Sequence, residues 1–165
     1  MSSKEKFNCK KQKCTSSCCG AFNGISDSMI PIGTRKFYDI ILTPKDLEHL
    51  HNSHFKDFIY IAEDGIGRVK TAEDGTCQAF KAGKCLLNKF KPTICQCFPL
   101  YLDIFIGLCA IKNCPSVTED HTIESFTSEL EKLIEMSEFW LTHYKQTLKK
   151  RYDEKLSKQY KKMNI

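Results

Sequence analysis

The sequence predicts a small, irregular α+β domain in which a hairpin and a few short strands are packed by a long C-terminal helix. Three observations lead to this class. Short segments of strand composition alternate with Gly, Asp and Pro turn signals over the first two-thirds of the chain. All ten cysteines fall in that same part. From about Thr118 onward, apolar residues recur every three or four positions without Gly or Pro, which is typical of one amphipathic helix.

The first strand and helix are marked by composition and by a capping signal. Residues 36–42, Lys-Phe-Tyr-Asp-Ile-Ile-Leu, have strand composition. Thr43 then suits the N-cap of a helix, with Pro44 at the first helical position and Asp46 at the third. We expect this helix to end near Ser53. Its predicted buried residues are Leu47 and Leu50.

A hairpin is predicted next. Residues 57–62 form its first strand, Glu-Asp-Gly at 63–65 its turn, and residues 66–71 its returning strand. Further turn signals stand at 73–75 and 81–83. These signals divide the middle of the chain into short segments rather than long elements.

Two more segments complete the strand-rich half. Residues 84–90 are predicted as a short helix that ends before Pro92, because a proline disfavours helical geometry in the residue before it. Residues 100–108 predict one buried strand. The alternating apolar positions behind that prediction are Leu100, Leu102, Ile104 and Ile106.

The chain divides into a cysteine-bearing domain, residues 1–117, and a long helix with a basic tail, residues 118–165, packed on the same domain. We expect the helix to reach residue 150 and beyond, with its apolar stripe covering the cysteine-bearing half. A dimer seam is the alternative use of that stripe. The lysine-rich stretch 145–162 is interpreted as a solvated helix end, whose cations suit the C-terminal dipole.

The composition limits which cellular compartment and which partners we expect for the protein. The formal charge of +5 and the pI near 8.6 are only mildly basic, so we expect an unidentified protein partner rather than nucleic acid. Residues 1–14 are polar and lysine-rich, and no apolar run reaches the ~18 residues of a membrane span. We therefore expect a cytoplasmic protein without a signal peptide or membrane segment, whose cysteines stay reduced. A secreted, disulfide-bonded protein is the alternative.

Four of the cysteines lie within eleven residues near the N-terminus: Cys9, Cys14, Cys18 and Cys19. A disulfide between the adjacent Cys18 and Cys19 would close a strained ring. Thiolates that close together are better explained as ligands of a metal or cluster, and deprotonated sulfur prefers zinc or iron–sulfur to calcium or magnesium. The intervening lysines would lower the thiol pKa values and offset the charge of such a site.

Four further cysteines, Cys77, Cys85, Cys95 and Cys114, stand on predicted loops and turns. Four plus four thiols suit two tetrathiolate sites, or one multinuclear site supplied by both groups. Two cysteines are left over: Cys97 is either a buried thiol or a spare ligand, and Cys109 either a ligand or an ordinary buried residue. The nearby histidines are interpreted as surface residues: His49, His51 and His54.

The order of these elements resembles the YkgJ-type cysteine-cluster family, a zinc- or iron-chelating domain. The resemblance covers roughly residues 7–115. It rests on the first cluster, Asp-Gly-Thr-Cys-Gln-Ala-Phe at 74–80, Cys85, Lys-Pro-Thr-Ile-Cys at 91–95 and Phe-Pro at 98–99. Thr43 and Asp46 also match the family's "L-T-x-x-D" helix start. The first cluster departs from the family by one residue in each gap, and Lys91 and Gln96 replace arginines.

The resemblance implies a metal centre and its ligands. Carried over by position, those ligands are Cys9, Cys14, Cys18, Cys19, Cys77, Cys85, Cys95 and Cys114. The chain is accordingly expected to bind iron–sulfur, for which a [4Fe–4S] cluster and a redox role are considered, or zinc. The alternative is an interaction module in which zinc only folds the chain, while the helix and basic tail bind a protein or RNA. No established catalytic motif is present, so no catalytic residue is assigned.

Overall fold

The computed structural model describes residues 6–9, 40–103, 107–110, 114 and 116–151, without the side chains of 103, 144 and 147–151. Within these ranges the chain combines helices with small antiparallel sheets, and a long helix lies at the C-terminal end. The predicted α+β class is confirmed. The strands are two to four residues long, so packing of side chains rather than an extensive sheet holds the domain together.

A three-stranded antiparallel sheet forms the centre of the fold. Its strands are β1 (Ile40–Ile41), β2 (Ile59–Ile61) and β3 (Gly67–Val69), in the order β1-β3-β2. Residues 40 and 41 pair with 69 and 68, and residues 59 to 61 pair with 69 to 67. The Glu-Asp-Gly turn joins β2 to β3 as predicted, and Gly65 adopts the left-handed conformation at φ +78°.

Helix α1 (Pro44–His51) begins as its sequence predicts. The Thr43 hydroxyl accepts the Asp46 backbone N–H at 3.1 Å, and the Asp46 carboxylate accepts the Thr43 N–H at 3.1 Å, so the capping box is complete. The helix ends two residues before the predicted Ser53. Leu50 is fully buried and Leu47 is half-buried.

The predicted helix over residues 84–90 is wrong. A second hairpin stands there instead, made of β4 (Phe80–Lys81) and β5 (Lys84–Cys85). Its two turn residues, Ala82 and Gly83, both have positive φ, at 48° and 75°, which is the turn geometry that matches the twist of paired strands. Only a single 3₁₀ turn, Asn88–Phe90, follows before α2 (Thr93–Gln96).

The single buried strand predicted over residues 100–108 is also wrong. β6 (Leu100–Asp103) and β7 (Gly107–Ala110) form a hairpin, and Gly107 enters β7 with φ +85°. Leu100 is buried, but Leu102, two residues further along the same face of β6, is 56% exposed, so the burial of that face does not extend along the strand. Ile104 and Ile106 lie outside the described residues.

The C-terminal helix α3 (Thr127–Arg151) follows a 3₁₀ turn at Ile123–Phe126 and contacts α2 and β6. Its apolar stripe is only partly covered, since Met136 is buried but Ile134 and Leu141 are 53% and 66% exposed. Among the described helices, none combines the length and the apolar character needed to cross a membrane. The predicted extension past residue 151 lies outside the described part of the chain.

Two apolar clusters make up the core. The first core packs α1 against the sheet and the second hairpin; its buried residues are Leu42, Leu50, Phe55, Val69, Cys77, Ala79 and Leu87. The second core packs α3 against β1 and α2; its buried residues are Ile41, Ile66, Cys97 and Met136. Cysteines therefore belong to both clusters, and their surroundings differ.

Candidate metal centre

Five of the eight predicted ligands lie in the described residues: Cys9, Cys77, Cys85, Cys95 and Cys114. Cys14, Cys18 and Cys19 lie outside them. The five stand on different elements, and each is held by its own local structure.

Cys77 is placed by a tight turn. The Thr76 N–H donates to the Asp74 carboxylate at 2.8 Å, and the Ala72 N–H donates to the Thr76 carbonyl at 2.8 Å. The hydrogen bonds from Thr76 hold the pKa of Asp74 below its usual value. Cys77 then pairs with Thr71 across a β-bridge and is 5% exposed within the first core. The turn therefore directs this residue inward.

Cys85 reaches the same core from another turn. It lies on β5 directly opposite Phe80, and the Leu86 N–H donates to the Ala79 carbonyl at 2.9 Å just beyond. Cys85 and Phe80 are both half-buried and pack against the first core, of which Cys77 is a buried member. Two predicted ligands delivered by separate turns thus share one apolar cluster.

Cys95 stands on the four-residue helix α2, which a buried carboxylate anchors. The carboxylate of Asp46 accepts the Thr93 N–H at 3.1 Å and the Thr93 hydroxyl at 2.9 Å. This carboxylate belongs to the capping box of α1, 47 residues earlier. We call the contact between Asp46 and Thr93 the clasp, because it joins the N-termini of α1 and α2.

The sequence left the roles of Cys97 and Cys109 open. Each of the two thiols donates its S–H to a main-chain carbonyl. The Cys97 Sγ lies 3.2 Å from the Thr93 carbonyl, and the residue is 3% exposed in the second core. Burial raises the pKa of the Cys97 thiol to about 12, and the negative charges of Glu135 and Asp46 act in the same direction. The Cys109 Sγ lies 3.3 Å from the Gly107 carbonyl. Both are explained as structural thiols.

The N-terminal segment is anchored at the start of α3. The Phe7 N–H donates to the Ser125 carbonyl at 2.9 Å, and the Phe7 ring lies 5.1 Å from that of Phe126. Cys9, two residues further on, is exposed. Cys114 is 6% exposed, and its carbonyl accepts the Val117 N–H at 2.9 Å.

Within the described ranges, no three His, Cys, Asp or Glu side chains lie close enough together to hold a metal ion. Three more of the ligands predicted from the sequence, Cys14, Cys18 and Cys19, lie outside those ranges. His49, His51 and His54 are exposed, as predicted, and the ring centroid of His54 lies 3.9 Å from that of Phe55, with the two rings tilted.

Two polar contacts that each involve a buried side chain escaped the sequence-based predictions. One is the clasp. The other is the ion pair between Arg68 and Asp64, whose atoms approach to 2.6 and 2.7 Å. Arg68 is 4% exposed and also donates to the Ile66 carbonyl at 3.3 Å, and its hydrogen bond to Asp64 lowers the pKa of that carboxyl. The sequence signal that could have indicated this ion pair is the four-residue spacing of Asp64 and Arg68 across a tight turn.

Comparison of the chain with models of protein families, with curated protein sequences and with solved structures gave no match.

Proposed function

We propose that this chain is a metalloprotein that binds zinc or an iron–sulfur cluster through cysteine thiolates. The observation that carries the proposal is that Cys77 is buried in one apolar cluster and Cys85 packs against the same cluster, although separate turns deliver them. Thiolate ligation at the edge of an apolar cluster favours a metal centre, because the surrounding side chains exclude water and tune the bound metal. Phe80 and Phe90, which pack against the same core, supply such a shell.

The proposed ligand set follows from sequence and local structure together. Its members are Cys9, Cys14, Cys18, Cys19, Cys77, Cys85, Cys95 and Cys114. Cys97 and Cys109, the two cysteines left over from the two groups of four, are not part of the set, and the S–H of each donates to a main-chain carbonyl. This is the set that the resemblance to the YkgJ-type family implies, together with the same two kinds of metal.

The kind of metal decides the activity. A closed four-thiolate zinc site leaves no open coordination position, so zinc would stabilise the fold and take no part in catalysis. An iron–sulfur cluster held by four thiolates would support electron transfer, at a potential set by burial and by hydrogen bonds to sulfur. We propose cytoplasmic residence in either case, since reduced thiols are required.

The exposed apolar side chains of α3 favour a second candidate function. Ile134 and Leu141 are seven residues apart, which puts them on one face of the helix, and each is more than half exposed. In this second candidate zinc only folds the chain, and the face binds a partner protein. Stoichiometric zinc in colourless protein, with loss of partner binding in Ile134→Lys, would favour it over a redox role.

Metal analysis of oxygen-free protein tests the main proposal. The wild-type protein should retain stoichiometric zinc or iron. Cys77→Ser or Cys85→Ser should lower the affinity for the metal, and the decrease should exceed the ~10- to 100-fold decrease that loss of an outer-shell partner causes. Cys109→Ser is the matched control and should keep its metal. A metal-free wild type, or equal loss in the control, contradicts the proposal.

A further inference from the structure

Two rows of exposed side chains run side by side along α3. The first row is Ile134 and Leu141, which are 53% and 66% exposed. The second row consists of charged residues at the same seven-residue spacing: Glu131, Glu138 and Lys145, all exposed. Each member of the second row lies three or four positions from a member of the first, and side chains at that spacing are neighbours on a helix. The two rows form one surface, which we call the outer face.

The outer face points away from the domain. Met136 is 3% exposed in the second core, and Phe139 and Trp140 pack against the same cluster. Met136 lies about 160° around the helix from Ile134, so the core holds one side of α3 and leaves the outer face uncovered. No salt bridge among the described residues involves the charges of the outer face. Those charges are therefore available to a partner.

The pattern of the outer face is complementary to itself when one copy is reversed. In an antiparallel pair related by a two-fold axis, each residue meets the residue that lies equally far on the other side of one centre. Glu131 and Lys145 lie evenly about residue 138, and Ile134 and Leu141 about a point half a residue earlier. One centre therefore pairs the apolar side chains with each other and a carboxylate with an ammonium group.

The same centre uses almost the whole helix. The midpoint of α3 (Thr127–Arg151) is residue 139, one residue from the centre of the pattern. Two copies paired about residue 138 overlap from residue 127 to 149, a contact about 33 Å long at the rise of an α-helix. A parallel pair in register would instead set Glu131 against Glu131 and Lys145 against Lys145. Charge complementarity therefore favours the antiparallel pair.

We propose that the outer face is the interface of an antiparallel homodimer, in which α3 packs along α3 of a second copy. Ile134 contacts Leu141 of the second copy, and Glu131 faces its Lys145; the symmetry makes each contact twice. Glu138 falls at the centre and meets its own counterpart, so this contact alone weakens the dimer. The proposal goes beyond the proposed function, because it does not require the metal centre and it names a second copy of the chain as the partner.

Sedimentation velocity of the full-length protein, in reducing and oxygen-free buffer, tests the dimer without disulfides between chains. With rising concentration, the wild-type protein should form a species of twice the 19.0 kDa of one chain. Ile134→Lys should weaken association by about 10-fold or more, because it places ammonium groups in the apolar contact. Ile61→Lys is the matched control, since Ile61 is 65% exposed on β2, and should associate as the wild type does. Monomeric wild type at every concentration, or equal weakening in the control, overturns the proposal.

A charge exchange tests the antiparallel arrangement. Glu131→Lys and Lys145→Glu should each weaken the dimer by about 10-fold, because each replaces both ion pairs with like charges. An equimolar mixture of these two variants should associate as tightly as the wild type, because both ion pairs form again between unlike chains. Glu138→Gln should tighten the dimer. A mixture that stays as weak as its components, or a Glu138→Gln variant weaker than wild type, overturns this arrangement.

Discussion

At the scale of single residues, two of the described cysteines, Cys97 and Cys85, lie in different surroundings. Cys97 is buried among apolar side chains of the second core, and its S–H is satisfied by the Thr93 carbonyl. Cys85 is half-buried and packs against the first core. We propose that its thiolate binds the metal. The position of Cys97 is therefore explained by packing in the core, and that of Cys85 by the proposed metal centre.

Replacing Cys97 by alanine should destabilise the fold and spare the metal. The substitution deletes about one methylene-sized group from the core, which costs about 1 kcal/mol in the free energy of unfolding. Urea unfolding measures that cost, and elemental analysis of the folded protein measures the metal. Loss of metal in Cys97→Ala would make Cys97 a ligand and contradict its assignment as a structural thiol.

The ion pair between Asp64 and Arg68 predicts a dependence of stability on pH. The hydrogen bond from Arg68 lowers the pKa of Asp64 below 3.8 in the folded state, so the ionised carboxylate stabilises the fold above that pH. The contribution is lost as the pH falls through the lowered pKa. In urea unfolding, wild type should exceed Asp64→Asn in stability at pH 7, and the difference should shrink toward pH 3. A difference independent of pH contradicts this account.

At the scale of elements, α1 and β3 pack closely at Gly67. A Cβ on Gly67 would lie 2.9 Å from Cδ1 of Leu47. The Leu47 side chain is half-buried against the first core, so it can yield only in part. The close contact holds α1, and with it Asp46, against the sheet.

Gly67→Ala should therefore lower the free energy of unfolding by about 1–2 kcal/mol through overpacking. The effect should shrink in a Leu47→Ala background, because the clashing methyl group is gone. Gly65→Ala is the control: it has open space but a positive φ, so its cost should not depend on Leu47. A double-mutant cycle measures both couplings. Strict additivity of Gly67→Ala and Leu47→Ala would contradict the packing described here.

Elements were predictable where the signal was local. The capping residues Thr43 and Asp46 lie three positions apart, and the capping box that they form with each other is local, so the sequence defines α1 almost to the residue. Alternation over residues 100–108 could not distinguish one strand from two, because both arms of a hairpin alternate. The sequence predicted the turn at Ala82. Its positive φ, however, leads Lys84 and Cys85 into a strand, and an alanine gives no strong sequence signal for a positive φ.

At the scale of the whole molecule, contacts distant in sequence were beyond prediction. The clasp joins residues 47 positions apart, and neither Asp46 nor Thr93 shows in its local sequence that the other is its partner. The docking of Phe7 on Ser125 and Phe126 brings the N-terminal segment to the start of α3 in the same way. Cys77 and Cys85 share one apolar cluster, and nothing in the local sequence of either residue indicates that cluster.

The central claim is that thiolates remote in sequence bind one kind of metal centre. X-ray absorption spectroscopy of the oxygen-free, full-length protein at the zinc or iron edge tests it most directly. The account predicts a coordination shell of sulfur at about 2.3 Å, with four sulfurs for each metal. A shell of nitrogen and oxygen, or protein without bound zinc or iron, would contradict it.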